Sequence, residues 1–502
     1  MDGDTTTAEP DSPPIDDAGA PLRSEPTAAE RFDLVIVGGD PAGYAAAREG
    51  RRLGMRVALV SPELAVLDPA VALATEHALR QAARRAAESR FAGWSYPGNA
   101  AIGRPDPFRP FAELRDRAAA RPAKAELARM GVVFLHGQAA FTRRDAIEVG
   151  GCRITFRKAV VAIGLSAVRA DDAAEVEPLL PELLVRLEDV PPRLAILGEG
   201  PRACGWAQAF RRLGSEVHLV GRQSSILPEE DAAAVAVIQR RLAREGVHLV
   251  LGCTSAAVQR TGAQKMLVLE QDGRKEKRLV DRVFQEVGCV PELASFRLEL
   301  ADVALADDGI AVDDRLRTTN RRIFAAGKVC GKRFAGPETA EAMGRLCARN
   351  ASCLFPSRIG RLVLTHCVRT DPQIARVGLT PSEAAAQQIE IDTYRVPMCE
   401  VGEAVLDDRE EGFVEVYTRH GTGRMVGAVA VADRADELIG VFGLLIARRM
   451  SLDHLADGPV GLHSRFDVFT ALADCYRWNR SPSRWRLAAE KLHSWWRKAG
   501  RS

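Results

Sequence analysis

Two stretches of the chain carry residue types whose spacing suits phosphate chemistry. In "FDLVIVGGDPAGYAAAREGRRLGMRVALVSPE" an apolar strand, Leu34 to Val37, runs into Gly38, Gly39, Asp40 and Gly43 and then into an alanine-rich segment. In "RLAILGEGPRACGWAQAFRRLGSEVHLVGRQSS" the same design returns with Gly198, Gly200 and Ala203. The pattern G-x-G-x-x-G uses its first glycine for a tight turn, its second to let the backbone touch a pyrophosphate, and its third for close helix–strand packing, where alanine also serves. The second stretch satisfies all three positions and aims a helix N-terminus at the anion. In the first, Asp40 takes the ligand-facing position. Two like unit charges about 4 Å apart repel by about 4 kcal/mol at an effective dielectric near 20, so a carboxylate there opposes a phosphate.

The end of the second strand sets the sugar chemistry. Ser61 and Gly221 each lie 23 residues past the first glycine of their unit, and this equal internal spacing makes the pair far more specific than either alone. Neither is an acid able to hold a ribose diol. In the second unit Arg222, Ser224 and Ser225 follow instead, suited to the 2′-phosphate of NADP. NADP or NAD is therefore the nucleotide expected there.

These units must be positioned by a large soluble framework. The 502 residues allow roughly three domains; 46% are hydrophobic and 27% charged, with a formal net charge of +2. That balance argues against general capture of nucleic acid, and no apolar run approaches the roughly 18 residues of a membrane span. Residues 1–30 are acidic, Pro-rich and poor in large apolar groups, as in a disordered tail. The ten cysteines run from Cys152 to Cys475 without a C-x-x-C pair, the pattern of scattered buried thiols in a cytoplasmic protein. No metal site is read from the sequence.

"KAVVAIG" returns the chain to the first sheet, and "DRVFQEVGCVPEL" and "RIFAAGKVCG" read as strands followed by turns. From about Arg361, strands, a hairpin tipped by "GTG" and the helix "ADELIGVFGLLIARRM" suggest a separate α+β domain.

With "TDPQIARVGLT", "TGRMVGAVAVADRADELIG", "LRTTNRRIFAAG" and the second fingerprint in place, the chain resembles a pyridine nucleotide–disulfide oxidoreductase of the mercuric reductase and dihydrolipoamide dehydrogenase branch, over about Phe32 to Asp474. The resemblance implies an α/β fold of two three-layer Rossmann-like domains, for FAD and NAD(P), plus a C-terminal α+β dimerisation domain, assembled as a homodimer. The expected boundaries are 31–190 for the first part of the FAD-type domain, 191–280 for the NAD(P)-type domain, 281–358 for the return segment, 359–475 for the interface domain and 476–502 for a basic tail.

The resemblance also says where chemistry should sit. The family's C-x4-C redox pair falls in "SPELAVLDPAVALATEHALRQAARR", which has no cysteine, so disulfide or mercuric reduction by a thiol relay is not expected. The FAD-type site comprises Gly38, Gly39, Asp40, Gly43, Ser61, Gly164, Gly327 and Lys328. Ser61 stands where the family places an acid for the adenine ribose, and Lys328 where it places an aspartate beside the pyrophosphate. Asp40 and Lys328 therefore converge, either as an ion pair filling the phosphate space or with Lys328 binding the pyrophosphate itself. FAD binding is expected to be weakened or lost. The NAD(P)-type site comprises Gly198, Gly200, Ala203, Arg222, Ser224, Ser225 and Gly288; Arg202 and Gly205 replace family residues, as do Glu286, Val287 and Cys289. Of the family's terminal H-x-x-P-T-x-x-E only His463 and Asp467, four residues apart, are candidates, with His463 read chiefly as structural.

The tail "YRWNRSPSRWRLAAEKLHSWWRKAGRS" places Trp485, Ala488, Ala489, Leu492 and Trp495 at helical spacing among eight Arg and Lys residues and one acid, Glu490. It suits an anionic membrane surface or a partner groove, or packing onto its own dimer. A pseudoenzyme or regulatory module is the leading expectation. The alternative is a flavin-dependent NAD(P)H oxidoreductase passing electrons to a quinone, oxygen or another small acceptor.

Overall fold

The computed structural model describes residues 30–62, 69–91, 108–119, 123–164, 166–167, 176–261, 264–286, 289–290, 293–331, 334, 336–456 and 464–479. The chain divides into two compact units, 1–370 and 371–502.

In the first unit, the apolar run of β1 (Arg31–Val37) is buried on both faces, as central parallel strands are. It feeds α1 (Pro41–Arg52), which starts with proline at its first position, where the missing N–H costs nothing. β2 (Val57–Ser61) follows, then a long helix α2 (Pro69–Phe91) and β3 (Val133–His136). A meander of β4 (Ala139–Arg143) and β5 (Ala146–Val149) leads into β6 (Cys152–Val161). The sheet order is β3-β2-β1-β6-β5-β4. The β1–β2, β2–β3 and β1–β6 pairs are parallel. The alanines of α1, Ala42, Ala45, Ala46 and Ala47, are buried, and their small side chains let the helix lie close to its neighbours.

The second nucleotide-type fold repeats this plan. β7 (Arg193–Leu197), α3 (Pro201–Leu213) and β8 (Glu216–Val220) are followed by α4 (Ala232–Arg244) and β9 (His248–Val250). Trp206 and Phe210 of α3 meet Phe284 edge-on, with ring centroids 6.1 and 5.8 Å away, which fixes the helix on its sheet. A three-stranded antiparallel sheet, β10 (Ser255–Thr261), β11 (Gln264–Gln271) and β12 (Arg274–Val280), is inserted before the chain returns.

That return corrects one boundary. β13 (Arg282–Gln285) pairs in parallel with β7, so it belongs to the second sheet and not to the return segment read from residue 281. The apolar "RVF" suits any buried strand, and only the register Arg282↔Leu194 to Gln285↔Leu197 shows which sheet takes it. The return to the first sheet is β14 (Ile323–Ala325), parallel to β6. It is followed by α5 (Pro337–Ser352), which packs across α1.

The second unit runs from Asp371. Its strands β15 (Gln373–Gly378), β16 (Ile391–Pro397), β17 (Phe413–Arg419) and β18 (Met425–Ala432) run in the spatial order β15-β18-β17-β16, all antiparallel. The Gly421–Gly423 hairpin joins β17 to β18. α6 (Ala435–Ala447) lies on β15 and β18, and α7 (Asp467–Asn479) on β16. Phe442 and Phe469 lock the two helices together edge-to-face at 5.0 Å.

Candidate nucleotide sites

The first glycine turn keeps the glycines that the backbone needs. Gly38 has φ +108°, and a Cβ on it would lie 2.0 Å from the Ala162 carbonyl oxygen. A Cβ on Gly43 would lie 2.4 Å from the Gly38 oxygen. Gly39 is under no such constraint, its nearest neighbours being the Ser61 side-chain atoms at 3.5 Å. Ser61 itself is buried at the end of β2. Gly164 stands in the open segment after β6.

Asp40 does not project outward as a lone repulsive charge, as its position in the motif implied. It is buried, adopts extended backbone as the N-cap of α1, and its Oδ1 accepts the Gly43 N–H at 2.9 Å. A carboxylate at a helix N-terminus is stabilised by the free N–H groups and the macrodipole. The other oxygen, Oδ2, lies against Gly327: a Cβ there would come within 3.0 Å of it. Gly327 (φ +80°) opens the single turn Gly327–Cys330, in which Lys328 is half-buried. Asp40 and the Lys328 turn are thus brought to one place by the β1–α1 and β14 connections, 287 residues apart in sequence.

The second turn is filled by a residue that the motif does not contain. Glu286, directly after β13, sends its carboxylate into the turn between β7 and α3. Its Oε2 accepts the Gly200 N–H at 2.8 Å, and a Cβ on Gly200 would stand only 2.4 Å from that oxygen. Gly198 (φ +142°) faces the same side chain, a Cβ there lying 2.5 Å from Glu286 Cβ. Ala203 is fully buried against the turn.

A second acid corrects the sugar end. β8 carries no terminal acid, yet Glu199, the middle residue of the glycine turn, reaches that spot. Its Oε2 accepts the Arg222 N–H at 3.2 Å and lies 3.1 Å from where a Gly221 Cβ would be. Arg222 and Ser224 are exposed, and the Ser225 hydroxyl donates to the Ile226 carbonyl at 3.0 Å. The basic and hydroxyl residues suited to a 2′-phosphate therefore share their place with a carboxylate. Gly288 lies outside the described residues.

The charge environment of Glu286 follows from its position. Burial pushes its carboxyl above the usual range, opposed by the Gly200 and Ala203 N–H groups and the Arg202 guanidinium, and reinforced by Glu199. Arg202 is itself tied to Glu76 of α2 at 2.8 Å. A carboxyl raised in the fold favours folding while protonated, and this contribution is lost as pH rises through its folded value. Glu286→Gln is therefore expected to raise the unfolding midpoint at neutral pH, with the gain shrinking as pH falls, measured by thermal denaturation across pH.

The thiol at this site is unsuited to electron relay. Cys204, in the first turns of α3, is pushed well above the ordinary thiol range by burial and by Glu286 and Glu199, and thiolate is the reactive form. None of the described cysteines is paired in a disulfide.

Of the terminal acid–base candidates, His463 lies outside the described residues. Asp467 is the first residue of α7, where its charge complements the helix N-terminus, and Val468 beside it is fully buried. The tail from residue 480 also lies outside. Among the described residues no helix is long and apolar enough to cross a membrane, and no group of three His, Cys, Asp or Glu residues could hold a metal ion.

Sequence reasoning placed both turns and Asp40, Gly327 and Lys328 beside one another. It noted Glu286 only as a departure and passed over Glu199. The strand before Glu286 was read into the return segment, so no local signal carried its carboxylate to this turn.

Comparison with known proteins agrees with this architecture. The profile described as pyridine nucleotide-disulphide oxidoreductase matches residues 32–345, and that of the corresponding dimerisation domain matches 364–468. A mercuric reductase of Bacillus cereus is 31% identical over 313 residues, 62% of this chain and 49% of the relative. An NAD(P)H dehydrogenase (quinone) of Mycobacterium tuberculosis is 31% identical over 274 residues, 54% of this chain and 55% of the relative. The chain spans 49% to 60% of the length of the first curated relatives it matches. The crystal structure of LpdA from Mycobacterium tuberculosis superimposes with a TM-score of 0.76 at 25% identity, covering 89% of this chain and 99% of that one.

Proposed function

Because the chain belongs to the pyridine nucleotide-disulphide oxidoreductase family, whose members bind FAD and NAD(P), we propose that it is a member without the thiol relay, acting as a nucleotide-binding or regulatory module. In this reading FAD binding is weakened or lost, the second domain keeps its affinity for a nicotinamide nucleotide, and the second unit joins two copies into a cytoplasmic homodimer.

The observation that carries it is the seat of Asp40. The first-turn N–H group of α1 donates to the chain's own carboxylate, which stands where a pyrophosphate would place its charge. In this reading the residues present do not fit that phosphate, and Asp40 and Lys328 fill its space as an ion pair. The absence of any cysteine before Cys152 supports the loss of thiol chemistry.

The test is the visible absorption spectrum of the purified chain, repeated after incubation with excess FAD and desalting. A colourless protein that takes up no flavin and reduces neither disulfides nor mercuric ion with NADH or NADPH is the expected result. A stoichiometric flavin band would overturn the reading.

A second reading rests on the likeness to the mycobacterial NAD(P)H dehydrogenase (quinone). In it Lys328 offsets Asp40 and holds the phosphate, and the protein is an active NAD(P)H oxidoreductase with a quinone or oxygen as acceptor. A yellow protein that oxidises NAD(P)H in the presence of a quinone would establish it. In either case the basic tail is the segment offered to an anionic membrane surface or a protein partner.

A further inference from the structure

Glu286 lies where the second glycine turn should be open. The Gly200 position is bare so that a phosphate can approach the backbone, yet a Cβ there would meet Glu286 Oε2, Cδ and Oε1 at 2.4, 2.7 and 2.7 Å. The carboxylate covers the glycine and takes its N–H at 2.8 Å. It therefore uses the hydrogen bonds and the positive end of α3 that a pyrophosphate would use, and it carries the same sign of charge. At the other end of the turn, Glu199 occupies the end of β8 and holds the Arg222 N–H. A carboxylate there suits a vicinal diol and repels a 2′-phosphate.

We propose that Glu286 is an internal latch of the second nucleotide site, displaced when a nicotinamide nucleotide enters, and that Glu199 selects the nucleotide without the 2′-phosphate. This inference rests on the reading that the second domain takes a nicotinamide nucleotide. It reverses the preference for NADP that Arg222, Ser224 and Ser225 suggest by themselves.

The latch is sensitive to protons. Facing Glu286 are the Gly200 and Ala203 N–H groups, Arg202 of α3 with its partner Glu76 on α2, Glu199 of the turn and the Cys204 thiol. One cation, already shared with Glu76, stands against Glu199 and the cost of burial. Protonation removes the charge that competes with the phosphate, so acidification opens the site.

The test is a fluorescence titration of the full chain with NADH and NADPH at several pH values, for the parent, Glu286→Ala, Glu286→Gln and Glu286→Ala/Glu199→Ala. Glu286→Ala is expected to bind NADH about tenfold or more tightly than the parent at neutral pH, given the like-charge repulsion removed. Glu286→Gln, which keeps the shape and loses the charge, should fall between them and serves if the alanine variant does not fold. The parent should tighten as pH falls, and Glu286→Ala should not. Adding Glu199→Ala should abolish the preference for NADH over NADPH.

Tight, pH-independent binding by the parent, unchanged in Glu286→Ala, would overturn the latch while leaving the nucleotide-binding reading intact. Failure of every variant to bind either nucleotide would overturn both. An undiminished preference for NADH after Glu199→Ala would remove Glu199 from its assigned role.

Discussion

The variant Asp40→Gly is expected to take up FAD about a hundredfold or more tightly than the parent chain. The estimate rests on charge: one carboxylate about 4 Å from a phosphate oxygen is worth about 4 kcal/mol at an effective dielectric near 20, and each 1.4 kcal/mol is about a factor of ten. The substitution removes an N-cap, since Asp40 Oδ1 accepts the Gly43 N–H, but glycine at an N-cap costs only a few tenths of a kcal/mol. The fold should therefore survive. Quenching of FAD fluorescence on titration reads the affinity, and retention of colour after desalting gives a direct check. Adding Lys328→Asp to it separates the two roles open to Lys328. If Lys328 holds the phosphate, the single variant binds more tightly than the double; if Lys328 only answers Asp40, the double variant binds as well or better. No change of affinity in either would remove Asp40 from any account of the site.

The second large effect concerns the packing that positions this turn. Gly344 in α5 lies directly over α1, and a Cβ on it would stand 2.1 Å from the Ala42 carbonyl oxygen and 3.0 Å from its Cα. Both are backbone atoms, so the clash is relieved only by moving one helix away from the other. Gly344→Ala is expected to destabilise the first unit by about 1–3 kcal/mol, the usual range for overpacking, and to move the N-terminus of α1 with it. Gly440→Ala, on the exposed face of α6 with nothing within 4 Å of a Cβ, is the control. It should stabilise the second unit by about 0.5–1 kcal/mol by helix propensity alone. Denaturation followed by circular dichroism should show opposite shifts for the two variants.

The fold was legible because its signals are local. Continuous apolar strands, a glycine turn, an alanine-rich helix and equal internal spacing define each nucleotide unit within about forty residues. The convergence of Asp40 and Lys328 was also legible, since both sit in motifs whose partners are known to meet. What was not legible depends on tertiary register. Whether Arg282–Gln285 joins the first or the second sheet is invisible in "RVFQ", and that choice alone carries Glu286 into the turn at Gly200. Glu199 was missed for another reason: the middle residue of G-x-G is treated as a spacer, and its reach to Gly221 becomes clear only when the strand ends stand side by side.

Seen as an evolutionary path, the contact between Gly200 and Glu286 is asymmetric. A side chain at position 200 would overlap the Glu286 carboxylate where it now sits, and enters only if that carboxylate swings away. Glu286, by contrast, is free to shorten without disturbing the turn. The need for glycine at position 200 is thus set by its occluding neighbour as well as by any cargo, and shortening that one neighbour opens the pocket.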